Sequence, residues 1–156
     1  MNPGDVAYDI ARSRVDEQDR SRRHFDTMAW GVLGFSGAIV GLSSFTTSGS
    51  SWTTWSIAAF SLLVASFLVT AFFVFNVVKL RGWKLRPVLD EFRGHIRSGE
   101  YEDNALISWA TNEIAKAVDD NEETMSDKAR WLLRSYEAFV ALVSIFGLFI
   151  ASVISA

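Results

Sequence analysis

Few residues in this chain have the types and spacing that catalysis or metal binding requires. The two histidines, His24 and His95, are far apart, and neither belongs to a histidine and carboxylate pattern with metal-ligand spacing. There is no cysteine, which excludes a thiolate nucleophile, a disulfide and a cysteine metal site. The sequence contains neither a glycine-rich phosphate loop nor a G-x-S-x-G nucleophile motif. We therefore expect no enzymatic activity, no bound metal and no cofactor.

The basic residues indicate a different chemistry, the binding of an anion. Two basic groups flank the first two apolar segments of the chain, and in a membrane they would lie at the same depth. The residues of this candidate ligand-binding site are Arg22, Arg23, Arg81, Lys84 and Arg86. Such a cluster either fixes topology and contacts anionic lipid headgroups or binds an anionic ligand such as a nucleotide. The net charge of −3 is too small to indicate a nucleic-acid partner.

Three long segments without charged residues predict the elements that carry these side chains. They cover residues 28–45, 55–78 and 138–156. The hydrocarbon core of a bilayer is roughly 30 Å thick, so about 20 apolar residues in a helix cross it. A soluble helix of this length carries a polar stripe, but these segments offer only Ser, Thr and one Asn. The sequence predicts an all-α integral membrane protein with three transmembrane helices.

The distribution of basic residues predicts the orientation of these helices. All 15 Lys and Arg residues lie before the first segment or between the second and third. The link 46–54 and the C-terminal segment carry none. Because basic residues are enriched in cytoplasmic segments, we expect a cytosolic N-terminus and a C-terminus outside. The expected location is the plasma (inner) membrane of a prokaryote.

Four regions follow along the chain. We expect a cytosolic N-terminal helix at 1–27, a transmembrane hairpin at 28–79, a cytosolic helical region at 80–137 and the third transmembrane helix at 138–156. The cytosolic helical region is expected to run directly into the third span.

Local signals divide the cytosolic region into helices. Arg86-Pro87 marks a helix start, because proline suits the first helical position. A second helix is predicted over residues 102–118. The run Asp119-Asp120-Asn121 offers an N-cap for a third helix, with Glu122 and Glu123 in its first turn, where negative charge suits the helix dipole.

Glycines in the first apolar segment predict close helix packing. Gly37 and Gly41 form a GxxxG pattern, and Gly34 precedes them by one turn. Small residues one turn apart let two helix backbones approach closely in a membrane. This packing either lies within one protomer or joins two copies of the chain. Both interpretations remain open at this point.

Two local motifs accompany this order of helices and apolar segments. The first span opens with Asp26-Thr27-Met28-Ala29, and the helix entering the last span carries Asp127-Lys128-Ala129-Arg130-Trp131-Leu132 after Asn121. Over residues 15–156 the chain resembles the Pycsar transmembrane effector family and, more loosely, the SLATT-type small membrane effectors of prokaryotic antiviral defence. In that family the first span opens with Asp-x-Lys-Ala, and Met28 stands here where the lysine would be.

The resemblance implies a small membrane effector of nucleotide-signalled antiviral defence, which senses a cyclic nucleotide and then damages the inner membrane. Its expected partners are the lipid bilayer, the cyclic nucleotide and further copies of the chain. The alternative is a non-catalytic membrane accessory or scaffold protein that docks a cytosolic partner. The apolar segments have no ionisable residue at their centres, which argues against a proton-coupled transporter.

Overall fold

The computed structural model describes residues 3–46, 53–79 and 103–154. Over these residues the chain forms three helices: α1 (Pro3–Thr46), α2 (Thr54–Val78) and α3 (Asp103–Ile154). All three are long and apolar enough to cross a membrane. The described part of the chain is therefore all-helical, as the sequence predicts, and its three candidate spans suggest a multi-pass membrane protein.

One predicted helix boundary is wrong. Residues 119–121 lie inside α3 and cap no helix start, so Glu122 and Glu123 do not lie in a first turn. This part of α3 contains neither Gly nor Pro, and Asp and Asn cost at most about 0.7 kcal/mol each in a helix interior. The Asn121 side chain is fully buried, so packing outweighs that small penalty.

The first helix runs past the predicted boundary at residue 27, and other predicted boundaries lie outside the described residues. α1 joins the charged N-terminal residues and the first apolar segment in one continuous helix. The predicted helix that begins at Pro87 lies outside the described residues. The same holds for most of the link 46–54, of which the structure describes Thr46, Thr53 and Thr54.

Local hydrogen bonds explain the bounds of α2. Thr53 is its N-cap, and the hydroxyl of Thr53 accepts a bond from the backbone N–H of Ser56 at 3.2 Å. The Ser56 hydroxyl accepts one in return from the backbone N–H of Thr53 at 2.9 Å. This capping box satisfies two helix donors that otherwise lack partners. At the other end, the N–H of Lys79 donates to the carbonyl of Phe75.

The chain divides into two compact units. Unit 1 comprises Met1–His24 and Leu80–Asp127, and unit 2 comprises Phe25–Lys79 and Lys128–Ala156. The helices α1 and α3 each contribute residues to both units, whereas α2 belongs to unit 2.

Three helices meet in the core of unit 2. Ala29 from α1, Val77 from α2 and Leu132 from α3 belong to one buried cluster. The α2 ring of Phe60 lies 6.1 Å from that of Phe149 in α3, and Phe73 lies 6.0 Å from Trp131. The start of α2 thus faces the end of α3, so these two helices are antiparallel.

The interior of unit 2 also contains small polar side chains. Ser36, Ser43, Thr70 and Ser135 have no exposed surface. The hydroxyl of Ser36 donates to the carbonyl of Val32 at 2.7 Å, in its own helix. Thr70 and Ser135 likewise donate to carbonyls of α2 and α3 respectively. Because these bonds stay within one helix, the residues serve the helix contacts mainly through their small volume.

Large apolar side chains cover the outside of unit 2. Phe35, Leu42 and Phe45 on α1 are 60% exposed or more, as are Trp55 on α2 and Leu148 on α3. A soluble protein rarely exposes so much contiguous apolar surface. Unit 2 thus has small polar residues among the apolar ones of its interior and large apolar residues on its outside.

We expect Ser36→Leu to destabilise unit 2, because the buried site has room for a hydroxymethyl group and not for an isobutyl group. Overpacking of this kind costs about 1–3 kcal/mol. Thermal unfolding in detergent micelles would measure the loss. Ser44→Leu is the matched control, since Ser44 lies on the exposed face of the same helix. Ser36→Ala should keep nearly the wild-type midpoint, and a large loss in that variant would contradict the size argument.

Candidate functional site

An ion pair joins α1 to α3 in unit 2. The Lys128 ammonium lies 2.7 Å from the Oδ1 atom of Asp26, and the two residues are 102 positions apart. Their side chains are only 5% and 25% exposed. Ala29 and Leu132, about one turn further along each helix, belong to the buried core of unit 2. The pair therefore lies at the edge of an apolar core, shielded from solvent.

A shielded ion pair constrains the helices that carry it. Removing two charges from water costs several kcal/mol, which their mutual attraction offsets only in good geometry. Because the Asp26 side chain is still 25% exposed, loss of Lys128 costs about 1–3 kcal/mol, less than for a fully buried charge. Asp26 and Lys128 thus favour one register of α1 against α3 over its neighbours.

Sequence reasoning named both residues in motifs but did not predict that they pair. Asp26 opens the first apolar segment, and Met28 occupies the place of the lysine in the Asp-x-Lys-Ala pattern. The structure instead gives Asp26 a lysine from α3. Met28 packs against the core cluster of unit 2. Asp26 is the acidic residue next to the first apolar segment, whereas Lys128 lies ten residues before the third, so no local signal pairs them.

The candidate anion site is described in part. Arg22 and Arg23 lie in unit 1, and both approach Asp19. Its carboxylate is 2.7 Å from the Nη2 atom of Arg23 and 3.9 Å from the Nη1 atom of Arg22. The Arg22 side chain is 19% exposed and that of Arg23 is 79% exposed. Arg23 is thus the more accessible to an anion, and Asp19 offsets part of the charge of the two arginines.

The other three residues of that site, Arg81, Lys84 and Arg86, lie outside the described residues. Whether the five basic side chains converge stays a prediction.

Unit 1 contains a groove between α1 and α3. Two cavities of about 280 and 340 Å³ share Arg14 and Val118 in their walls. We call them together the unit 1 groove. The Gln18 amide donates to the carbonyl of Val118 at 3.0 Å and so ties the two helices together beside it.

The glycines of α1 have open surroundings. A Cβ atom added at Gly34 or Gly41 would meet nothing within 4 Å among the described residues. One added at Gly37 would meet the Phe67 ring at 3.9 Å, an ordinary contact. Close backbone packing within one protomer is therefore not seen at Gly34 and Gly41 in the described part of the chain. Self-association through this face stays a prediction.

Comparison with known proteins adds no relative: no family model, no curated protein and no solved structure matches the chain. Over residues 3–46, 53–79 and 103–154, no group of three or more His, Asp or Glu side chains is placed to hold a metal ion.

We expect Lys128→Met to lower the stability of unit 2 by about 1–3 kcal/mol, because it leaves the mostly shielded Asp26 carboxylate without its partner. Thermal unfolding in micelles would report a lower midpoint. A second substitution, Asp26→Asn, should restore most of the loss in the double variant.

The matched control is Arg134→Met on the same helix. Arg134 and Glu137 form a looser pair at 3.9 Å, with both side chains at least 60% exposed. Its removal should change stability by less than about 1 kcal/mol. Equal midpoints for the Lys128 and Arg134 variants would show that the shielded pair does not constrain the helices.

Proposed function

We propose that this chain is a small multi-pass effector of the prokaryotic inner membrane, which perturbs the bilayer when a cytosolic cyclic nucleotide binds. The observation that carries the membrane part is the apolar exterior of unit 2. The ligand and the role in antiviral defence rest on the resemblance to the Pycsar transmembrane effectors.

The exterior of unit 2 supports insertion into a bilayer. Trp55 is 81% exposed, and Phe35 and Leu148 are each 69% exposed. Removing a side chain of this size from water is favourable by about 1.5–3 kcal/mol. Lipid tails provide that environment over the whole outer surface at once. The same environment suits helix contacts that include small polar residues such as Ser36 and Thr70.

The charges of unit 2 support one orientation. Its acidic residues are Asp26 and Glu137, and its basic residues are Lys79, Lys128, Arg130 and Arg134. Asp26 and Lys128 lie where α1 and α3 enter unit 2, and their ion pair brings these two points together. The core cluster brings Val77, near the end of α2, to the same end of unit 2. The charged ends of all three helices therefore meet at one end of unit 2. In a bilayer the charged end of unit 2 lies at a membrane surface. The excess of basic residues at that end makes this surface the cytosolic one.

The proposed mechanism is a change in the packing of α1 against α3. Both helices contribute to the two units, so a ligand bound by unit 1 residues contacts the same helices that span the bilayer. A ligand shifts such an equilibrium only through its different affinities for the two states. Reversing a 99:1 population needs about 5.5 kcal/mol of that difference. The resting state is the packing that Asp26 and Lys128 favour.

Self-association completes the proposal. Three helices from one chain are too few to surround an aqueous path, so perturbation of the bilayer requires several copies. The open surfaces at Gly34 and Gly41 let two helices approach closely. These glycines are the helix-packing residues of the proposed assembly.

The orientation predicts the accessibility of the two termini. A protease-cleavable tag after Ala156 should be cut from outside intact cells, and a tag before Met1 only after the membrane is opened. The reason is that each terminus stays on the side that the basic residues specify. A tag after Ala156 that is accessible only from the cytosol would overturn the orientation.

The effector function predicts ligand-dependent depolarisation. The purified chain in liposomes with a potassium gradient should dissipate the potential when one of the cyclic mononucleotides of A, G, C or U is added, as read by a voltage-sensitive dye. Liposomes without protein are the first control. Arg23→Gln is the second, since it removes the more accessible arginine and should raise the nucleotide concentration needed.

The outcomes separate the two functions. Absence of both nucleotide binding and depolarisation removes the effector proposal. A stable protein partner without any change in potential would favour the accessory or scaffold function instead.

A further inference from the structure

We propose that the unit 1 groove is a docking site for a basic amphipathic helix of a partner protein. The groove has an apolar floor and an acidic rim. This inference does not depend on the effector function, because docking requires neither a nucleotide nor a change in the bilayer.

The floor of the groove suits the apolar face of a helix. It is lined by Ala7, Ala11 and Ala115, whose short side chains leave a channel between α1 and α3. Ile10 also lines the floor and is 53% exposed, so it offers apolar surface to a partner. Amphipathic helices bind such channels by inserting apolar side chains spaced three and four residues apart.

The rim of the groove is acidic. Glu17, Asp119 and Glu122 line it, and Arg14 is the basic residue in its wall. The surrounding surface has the same sign: residues 3–24 and 103–127 together carry twelve carboxylate side chains and six basic ones. This field attracts cations and repels a nucleotide phosphate. The chemistry of the rim therefore indicates Lys or Arg on the partner.

Gln18 lines the same cavity as Glu17 and Glu122. Its amide nitrogen donates to the carbonyl of Val118 and so holds α1 against α3 beside the groove. The apolar floor and the acidic rim thus favour the same kind of partner.

The probe for this site is a fluorescein-labelled helical peptide of about 14 residues that contains only Leu and Lys in an amphipathic pattern. Full-length protein in zwitterionic phosphatidylcholine nanodiscs should bind it saturably, as measured by fluorescence anisotropy, and addition of salt should weaken binding. The same peptide with Glu in place of Lys should not bind. Empty nanodiscs report binding to lipid alone.

Matched variants locate the binding. Glu17→Gln with Glu122→Gln should weaken binding about three- to tenfold, because each exposed ion pair contributes modestly. Asp16→Asn with Glu123→Gln removes the same charge from neighbouring positions outside the groove and should change binding less than about twofold. Ala115→Leu should block the floor, whereas Ala105→Leu, also exposed on α3 and in unit 1, should not.

Several results would overturn the proposal. Equal effects of the two charge variants would mean that the peptide senses only the overall field. Equal binding to empty nanodiscs would assign it to lipid. Because the chain has no cysteine, Ala115→Cys can also be cross-linked cleanly. A disulfide-linked dimer would assign the groove to a second copy, and a disulfide to a cysteine placed in residues 80–102 of the same chain would assign it to the chain itself.

Discussion

The ion pair between Asp26 and Lys128 constrains how α1 and α3 meet in unit 2. The Lys128 ammonium is almost fully shielded, so a slip of one helix by a turn, about 5.4 Å, would take away its partner without returning it to water. Ala29 and Leu132, about one turn along each helix from the pair, belong to the common core. Apolar contacts tolerate small shifts, but a shielded ion pair does not. One polar contact therefore fixes what apolar packing leaves adjustable.

The remaining contacts of unit 2 follow from volume. Ser36, Thr70 and Ser135 return their hydroxyl groups to their own helices, so each satisfies its polar atom without a partner helix. They present to the neighbouring helix a small side chain whose polar atom is already hydrogen-bonded. Leu42 and Leu148 would give more contact area, yet they face outward. In lipid this arrangement costs little free energy, because an outward-facing leucine contacts lipid tails and not water.

Sequence reasoning recovered the elements that depend on local properties. Hydropathy located the three apolar segments, and the segment 55–78 matches α2 closely because Thr53 and Ser56 cap it locally. The prediction from the sequence is wrong at residues 119–121, where a cap signal lies inside α3 and Asn121 is buried. The Asp26–Lys128 pair could not be predicted in this way, since no local pattern links residues 102 positions apart. Register between helices is a property of packing.

The two kinds of charge on this chain have different consequences. Orientation depends on the count of Lys and Arg near the ends of the spans and is nearly insensitive to carboxylates. Recognition by a soluble partner depends on the sum of both signs at a surface. The described part of unit 1 has five arginines in residues 3–24, yet residues 3–24 and 103–127 together carry more carboxylates than basic side chains. It therefore fits the rule for a cytosolic segment while its groove favours cations, and the nucleotide of the proposed function would need a site separate from that groove.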